Sequence, residues 1–431
     1  LALLLVQVVL ITVYTVFVVF RVLGSSYEAA VMCSGYAGLA LGATPTAIAN
    51  MTAVTKTLGP APRAFVVVPL LGAFFMDISN AVIINTLLNW LTCPRLGVHP
   101  RPETSPQVAV LIPARNEERA IRRCVQSLLD QDYPDFGIWV LDDDSGDRTF
   151  AILAELAAHD PRLHVHKSAP LPPGWLGKNW ACWQLAQAVP EDYPLLLFVD
   201  ADTWHAPDML RVTVAALLVG RYDLLSILPR QITGTLVERL TVPILPWALL
   251  SHFPLWLTGH LRWPALSAAV GQFMLWRRAA YQMIGGHAAV HTEVAEDIAM
   301  ARRVAALGLC SRLLPGSEHV FCRMYCTTGE VLQGLGKNLY AVFGKRWLLY
   351  LFVWLWMNVV FLSPWILWLG RALADWPASS LLAGLSILAA FVIWAGVINM
   401  AGLQRLLIFF YPFIIFSALI LAFHSMGQIL R

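Results

Sequence analysis

The stretch LLLFVDADT (195–203) decides the fold class, because an apolar run ends abruptly in two carboxylates. A short, continuous apolar run of this kind is typical of a strand that is buried on both faces, as in a parallel sheet. Two earlier stretches have the same form, VAVLIPARNEE (108–118) and GIWVLDDDSGD (137–147), and LHVH (163–166) forms a shorter strand. Helical patterns lie between and after these strands, at 117–131, 148–158, 178–188 and 207–219. This alternation predicts an α/β domain with a mainly parallel sheet and right-handed crossovers.

Polar clusters follow three of these strands, at PARNEE (113–118), DDDSGD (142–147) and DAD (200–202). Ligands of parallel sheets bind beyond the carboxyl ends of the strands, so we expect the clusters to share one site. Asp200 and Asp202 supply hard oxygen ligands that suit Mg²⁺ or Mn²⁺ together with substrate phosphates. The alternative is a solvated Asp-rich turn, and the neighbouring clusters favour the metal.

Four further residues are candidates for chemistry. Asp143 can accept a hydrogen bond from a base N–H or a ribose hydroxyl. Lys178, in GWLGKN (174–179), can meet a phosphate as a point charge, or it is a surface lysine at a helix start. Glu296 and Asp297 open an amphipathic helix, where they act either as a general base for a hydroxyl acceptor or as ordinary first-turn acids. Turn and helix-cap roles are expected for Ser145, Asp147 and Thr149.

Composition places the chain at a membrane. Of its 431 residues 58% are hydrophobic and 13% are charged, whereas a soluble protein has roughly 25% charged residues. This excludes a disordered chain, and the net charge of +3 gives no indication of nucleic-acid binding. The seven cysteines form no CxxC pair, so we interpret them as reduced, packing thiols.

The charges are concentrated in residues 92–346, whereas the two flanks are apolar. The flanking charges are Arg21, Glu28, Lys56, Arg63, Asp77, Arg371, Asp375, Arg405 and Arg431. Since a bilayer core needs about 20 apolar residues, this pattern predicts a globular domain between two sets of spanning helices. The predicted segments are a membrane segment 1–91 with spans about 1–22 and 64–91 and a broken helix about 28–56, a linker 92–106, a catalytic domain 107–346, and spans about 347–369, 379–398 and 403–424.

Lys345 and Arg346 precede the first C-terminal span. By the positive-inside rule they place the charged central domain in the cytoplasm. Residues 240–260 are apolar and aromatic, and they form either an interfacial segment that guides an acceptor or a buried helix.

Taken together, these residues resemble the membrane-integrated family 2 glycosyltransferases over about 100–430. The motifs that carry the resemblance are PARNEE, DDDSGDRT, GWLGKNWA, FVDADT, GQFMLWRR (271–278) and AEDIAMARR (295–303). The resemblance implies a GT-A (Rossmann-like) fold flanked by transmembrane helices, and an inverting single displacement. It also implies roles for particular residues: nucleotide binding for Pro113, Arg115, Glu117 and Asp143, contact with the donor diphosphate and sugar for Lys178 and Asp200, Mg²⁺ or Mn²⁺ binding for Asp202, base catalysis for Asp297, and an acceptor-side position for Gln272 and Glu296.

The same resemblance implies a nucleotide-sugar donor, with a UDP-sugar favoured, and a membrane lipid hydroxyl as acceptor. Polysaccharide synthases of this family carry Q-x-x-R-W at the first C-terminal span. Here Arg346 and Trp347 are present, but Phe343 replaces the glutamine. A single transfer therefore fits better than processive synthesis, and the full set of carboxylates argues against a catalytically dead scaffold.

The N-terminal part is similar to the last part of the bacterial sodium/glutamate symporters, over about 25–91. The resemblance rests on GLALGATPTAIANM (38–51) and VVVPLLGAFFMDISNAVI (66–83). Such transporters pair broken helices in inverted repeats, and only one broken segment is visible here, so this chain alone should not transport. Asp77 and Asn80 at membrane depth need a protein partner or a wet cavity. Either an upstream half is missing or the segment is an anchor, and a transporter–transferase fusion is the alternative function. As the symporter family is usually drawn, its last helix ends outside, which conflicts with a cytoplasmic transferase domain.

Overall fold

The computed structural model describes residues 15–41, 44–71, 78–94, 96–97, 105–258, 261–342, 346–374 and 380–429. The chain divides into two compact units. One comprises Leu1–Ile84 with Leu355–Ala390, and the other comprises Asn85–Trp354 with Phe391–Arg431. The end predicted for the membrane segment, residue 91, thus falls inside the second unit.

The N-terminal part of the first unit is largely helical over its described residues. Beyond a helical stretch at Thr15–Val19 and Phe20–Val22, its helices are α1 (Tyr27–Leu41), α2 (Thr44–Leu58), α3 (Pro62–Leu71) and the start of α4 (Ile78–Thr92). Gly38 allows the backbones of α1 and α2 to approach closely, because a Cβ there would lie 2.6 Å from backbone atoms of Ala47. The helices α1 and α2 occupy the region predicted as a broken helix. Asp77 and the side chain of Asn80 lie outside the described residues.

The second unit is built on a sheet of seven strands, counted over the described residues. The strands of the chain are β1 (Val108–Ala114), β2 (Phe136–Asp142), β3 (Leu163–Lys167), β4 (Leu195–Val199), β5 (Thr203–His205), β6 (Leu224–Leu228), β7 (Arg230–Gln231), β8 (Phe273–Arg277), β9 (Ser311–Pro315) and β10 (Val320–Cys322). The sheet order is β3-β2-β1-β4-β8-β6-β9, and β5, β10 and β7 form a second, small sheet. All pairs in the large sheet are parallel except those of β8, which runs antiparallel to β4 and β6. The predicted α/β fold with a mainly parallel sheet is confirmed.

Helices cover both faces of this sheet because its central strands are buried on both sides. One apolar core joins the sheet to α5 (Ile121–Leu129), α6 (Thr149–Ala157) and α8 (Met209–Val219). The other joins it to α7 (Gly177–Ala188) and to a later helix at Glu296–Ala306. The remaining helices, in chain order, are α9 (Leu236–Thr241), α10 (Ile244–His252), α11 (Leu255–Thr258), α12 (Arg278–Met283), α13 (Glu296–Ala306), α14 (Thr328–Val342), α15 (Trp347–Ala374), α16 (Ser380–Ala401) and α17 (Tyr411–Ile429).

Two helices near the C-terminus have the length and composition to cross a membrane. Among the described residues, these candidate spans are Trp347–Leu373 and Ala383–Ala401. The third predicted span, 403–424, contains a 3₁₀ turn at Arg405–Ile408 before α17 begins. The apolar part of α17, Tyr411–Ser425, is shorter than the other two.

The region 240–260 contains two helices separated by a break. Helices α10 and α11 are interrupted around Phe253 and Pro254. Trp247 of α10 is buried and stacks on Trp394 of α16, with ring centroids 6.0 Å apart. The inner face of this region is therefore packed against protein.

Candidate active site

The ends of three neighbouring strands form the site. Strand β1 pairs with β2 on one side and with β4 on the other, all in parallel. Their carboxyl ends therefore meet at one edge of the sheet, which brings the three predicted polar clusters together. Asp200 and Asp202 lie at the end of β4, Asp143 follows β2, and Glu117 lies beyond β1.

The loops that follow β1 and β2 are joined to each other. Asn116 and Asp144 adopt left-handed backbone conformations, with φ of 56° and 54°. The bonds between the loops are those from the N–H of Asn116 to Ser145 Oγ (3.0 Å), of Glu117 to Thr149 Oγ1 (2.7 Å), of Glu118 to Asp147 Oδ2 (3.1 Å) and of Gly146 to Asn116 Oδ1 (2.9 Å). The sequence had predicted only turn and cap roles for the polar residues of the second loop. The structure shows that they hold the first loop in place.

The predicted nucleotide-binding residues lie at the end of β1 and along these loops. Arg115 Nη1 is 3.4 Å from Asp143 Oδ2, and the arginine is largely exposed. Asp143 also lies beside Gly177 at the start of α7, where a Cβ would be 3.3 Å from its Oδ2. Pro113 is in β1, opposite Leu141. The arrangement brings Asp143 and Arg115 next to the glycine that precedes Lys178.

Lys178 is the cation at the centre of the site. Its Nζ lies 2.9 Å from Asp200 Oδ1 and 3.0 Å from Glu296 Oε1. Desolvation opposes the charge of the lysine, but the two carboxylates outweigh it and hold the pKa of Lys178 well above its usual value. Burial likewise opposes the charge of Glu296, yet Lys178 keeps the pKa of Glu296 below its usual value. The site therefore holds a charged lysine between two carboxylates.

Asp297 lies next to this ion pair and is held by backbone groups. Its Oδ2 accepts a hydrogen bond from the N–H of Gly271 (2.8 Å), and its Oδ1 accepts one from the N–H of Ile298 (2.7 Å). Burial and the charge of Glu296 raise the pKa of Asp297 to about 6. A carboxylate with this pKa is suited to accept a proton near neutral pH.

Gly271 is a site residue for which the sequence predicted no role. A Cβ at this position would lie 3.2 Å from both Glu296 Oε1 and Lys178 Nζ, and 3.6 Å from Asp297 Oδ2. The glycine therefore lets three charged side chains meet above the backbone. Its position at the start of the quoted motif GQFMLWRR was the available signal.

The second carboxylate group fits a cation. Burial and the charge of Asp200 raise the pKa of Asp202 to about 6. Burial, together with the smaller effects of the charges of Asp202 and Asp200, raises the pKa of Glu117 to about 7. The Oδ1 atom of Asp202 is buried and accepts no hydrogen bond from protein. No group of three or more His, Cys, Asp or Glu side chains forms a metal cage among the described residues. One or two carboxylates that depend on substrate phosphates to complete the shell are typical of Mg²⁺ sites.

Gln272 lies behind these carboxylates and is buried. Its Nε2 donates to Cys322 Sγ (3.0 Å), and its Oε1 accepts from Gln231 Nε2 (3.0 Å). Its backbone carbonyl accepts from the N–H of Asp200 at 3.4 Å. The amide thus faces the small β5-β10-β7 sheet, and the predicted acceptor-side role of Gln272 stays a prediction.

Two known families match different parts of the chain. The model of the family Glycosyl transferase family 2 matches residues 109–284, and that of Sodium/glutamate symporter matches residues 1–60. Both resemblances predicted from the sequence are confirmed. The symporter-like segment and the apolar helices indicate association with a membrane.

Individual relatives show the same division. The sodium/glutamate symporter of Escherichia coli (strain K12) is 52% identical over 88 residues, which are 20% of this chain and 22% of the symporter. The 4,4'-diaponeurosporenoate glycosyltransferase of Staphylococcus haemolyticus is 26% identical over 240 residues, 55% of this chain and 62% of that protein. The beta-monoglucosyldiacylglycerol synthase of Trichormus variabilis is 37% identical over 108 residues, 24% of this chain and 22% of that protein. The chain thus spans about a fifth of the length of the symporters and less than two thirds of these transferases.

Among solved structures, the mannosyltransferase PcManGT from Pyrobaculum calidifontis, in complex with GDP-Man and Mn²⁺, is similar at 19% identity. The match covers 78% of this chain and 98% of that one, with a TM-score of 0.46.

Proposed function

We propose that this chain, whose residues 109–284 match the family 2 glycosyltransferases, moves one sugar from a nucleotide-sugar donor to the hydroxyl of a membrane lipid. A UDP-sugar is the favoured donor. The reaction takes place at the cytoplasmic face of a bacterial inner membrane, and the catalytic domain is cytoplasmic. The observation that carries the proposal is the placement of Asp297 beside the Lys178 ion pair, at the edge where three strands end.

The reaction is a single displacement with inversion. Asp297 takes the proton of the acceptor hydroxyl as its oxygen attacks the anomeric carbon of the donor sugar. The bond between that carbon and the diphosphate oxygen breaks, and its electron pair leaves with the nucleoside diphosphate. Lys178 stabilises the charge that develops on the diphosphate, and Asp143 and Arg115 bind the nucleotide.

A divalent cation, Mg²⁺ or Mn²⁺, fits this proposal. Asp202 would hold it, with Glu117 close by, because a buried carboxylate oxygen without a partner and two raised pKa values both favour a positive ligand. When bound, the cation would neutralise charge on the leaving diphosphate. Binding is testable without turnover: we expect Asp202→Asn to weaken Mn²⁺ binding in the presence of UDP, measured by electron paramagnetic resonance, by at least tenfold. Equal Mn²⁺ affinity in the variant and the wild type would show that Asp202 does not hold the metal.

The lipid acceptor is supported by two observations. Two apolar helices follow the catalytic part in the sequence. Relatives of this chain are named for glycosyl transfer to diaponeurosporenoate and for synthesis of monoglucosyldiacylglycerol. The decisive experiment incubates membranes that contain the protein with a panel of labelled nucleotide sugars, followed by mass analysis of the extracted lipids. A new glycolipid that depends on the protein is expected. Label that appears only in polymer or only as free sugar would contradict single transfer to lipid.

The assignment of the base predicts a particular variant. Asp297→Asn cannot accept the proton, so kcat should fall by about 10²–10⁴ while the donor Kd stays within about twofold of the wild-type value. Glu293→Gln, an exposed carboxylate close by in the chain, is the matched control and should retain full activity. Near wild-type turnover of Asp297→Asn with saturating substrates would show that another group is the base.

A second candidate function follows from the symporter match. Residues 1–60 match the symporter family, so a transporter fragment or a transporter–transferase fusion is the alternative. The alternative predicts sodium-driven glutamate uptake in proteoliposomes, whereas single sugar transfer to a lipid predicts none. Uptake above that of protein-free vesicles would favour the alternative.

A further inference from the structure

Two asparagines of α4 bind the chain at the break between α10 and α11. Asn85 and Asn89 are four residues apart, so they lie on one face of the helix. The Nδ2 of Asn85 donates to the carbonyls of Ser251 (2.9 Å) and Phe253 (3.0 Å). The Nδ2 of Asn89 donates to those of Leu250 (2.7 Å) and Phe253 (2.8 Å). Both protons of each amide are therefore used.

The amide oxygens bind the other side of the break. Asn89 Oδ1 accepts from the backbone N–H of Trp256 (3.1 Å), and Asn85 Oδ1 accepts from its indole Nε1 (3.2 Å). The carbonyls of Leu250 and Ser251 belong to the last turn of α10 and the N–H of Trp256 to the first turn of α11, and these are backbone groups that a broken helix leaves without helical partners. The carbonyl of Phe253, just after α10, also accepts from the N–H of Leu255. A buried backbone group without a partner is costly, so the paired amides stabilise this half-buried break. We name Asn85 and Asn89 with their partners the asparagine clasp.

The chain that leaves the clasp leads to the catalytic carboxylates. Residues Pro264–Leu266 pack against α13, whose first turn carries Asp297. Five residues after this turn the chain reaches Gly271, whose N–H donates to Asp297. Between these points Leu261 and Trp263 are exposed apolar side chains, 45% and 60% accessible. One continuous segment therefore has the clasp at one end, the base at the other, and apolar side chains on its surface.

From this continuity we infer that Asn85 and Asn89 are positioning residues, and that residues 250–258 and 261–271 form the acceptor-side wall of the site. The inference rests on the proposed function and adds the side from which the lipid reaches Asp297. Neither asparagine touches the reacting atoms, and they act by fixing the far end of the wall.

The test compares asparagine variants of the full chain in nanodiscs. Asn85→Leu and Asn89→Leu should raise the apparent KM for the lipid acceptor at least fivefold, with the KM for the donor within twofold of the wild-type value. The matched control is Asn50→Leu, since Asn50 also donates from Nδ2 to a backbone carbonyl, that of Ser34 (3.2 Å), but within the first unit. The control should change neither KM.

A second measurement does not depend on turnover. Hydrogen–deuterium exchange of peptides that cover Trp256 should become at least tenfold faster in Asn89→Leu, because its amide proton loses its acceptor. If the variants fold, exchange faster at Trp256 and keep the wild-type acceptor KM, the positioning role is overturned. If Asn89→Leu does not fold, the half-buried Asn85→Leu carries the test. A wild-type protein that transfers no sugar to any lipid would refute the proposed function, whereas unchanged exchange at Trp256 would refute the clasp.

Discussion

At the scale of single residues, the carboxylates could be predicted and their partners could not. Asp200 and Asp202 were candidates because they follow a buried strand and Asp297 because it opens a helix, and these signals are local, whereas the role of Asp297 as the base came from the family resemblance. The partner of Lys178 depends on packing between α7 and α13, which are distant in sequence. Gly271 had no predicted role for the same reason, since the side chains around it come from two other elements.

The pH dependence of the reaction should report the base. Since burial and then Glu296 raise the pKa of Asp297 to about 6, kcat/KM should fall tenfold per unit as the pH drops below about 6, where the base is protonated. Glu296→Gln removes the charge of Glu296, so the pH below which kcat/KM falls should move to a lower value. The measurement is kcat/KM against pH for both proteins, with Glu293→Gln as control. An unchanged pH profile in Glu296→Gln would show that Glu296 does not raise the pKa of Asp297.

The space above Gly271 predicts a steric effect. In Gly271→Ala the new methyl group must displace Lys178 or Glu296 by a few tenths of an ångström, so kcat/KM should fall at least tenfold, about 1.4 kcal/mol in the transition state. Gly384→Ala is the matched control, because a Cβ at that helical position meets no atom within 4 Å. Steady-state kinetics and thermal unfolding of both variants separate the effect on the site from one on folding. Wild-type kinetics for Gly271→Ala would show that Lys178 and Glu296 can accommodate a methyl group at this position without loss of activity.

At the scale of elements, strands and helices agreed with prediction more closely than their connections did. The helix expected from residue 117 begins at Ile121, because 115–120 is held as a loop by the loop after β2. The antiparallel strand β8 was not predicted, since a short apolar segment does not reveal its direction. Apolar periodicity identifies an element, whereas its neighbours are determined by contacts that are distant in sequence.

The hydrogen bonds between the loops after β1 and β2 predict that replacing the Thr149 hydroxyl by a methyl group weakens donor binding. Thr149→Val leaves the N–H of Glu117 without its acceptor, which should destabilise the fold by about 1–3 kcal/mol and raise the KM for the donor several-fold. Thr213→Val makes the same change at a buried threonine that binds only within α8. We expect this control to alter stability without altering the KM for the donor. Identical donor KM values in the two variants would mean that the loop bonds do not shape the nucleotide site.

At the scale of the whole molecule, the uneven charge distribution predicted a charged domain between apolar flanks, but it did not predict the residue at which the two compact units divide. Hydropathy identified apolar helices, yet it carries no information about which helix packs with which. The unit that contains the sheet begins at Asn85, within a helix assigned to the membrane segment, because two amides there bind the chain around Phe253. Only a structure could reveal that division.

The cytoplasmic placement of the catalytic domain can be measured on the intact chain. A cysteine introduced at the exposed Ala158, Ala158→Cys, should react with a membrane-impermeant maleimide in inside-out vesicles and not in right-side-out vesicles. The unmodified chain, with its seven native cysteines, supplies the background. Labelling in right-side-out vesicles alone would place the domain on the opposite face.

The ion pair of Lys178 also links donor binding to the protonation of Asp297. A diphosphate that draws Lys178 towards itself takes positive charge from beside Asp297, whose pKa the lysine lowers. Donor binding therefore makes the base stronger at the moment when an acceptor can use it. Because linkage is reciprocal, protonation of Asp297 must also strengthen donor binding, so donor affinity should rise as the pH falls through about 6. Under the proposed function, donor binding and the proton on Asp297 are therefore coupled through the charge of Lys178.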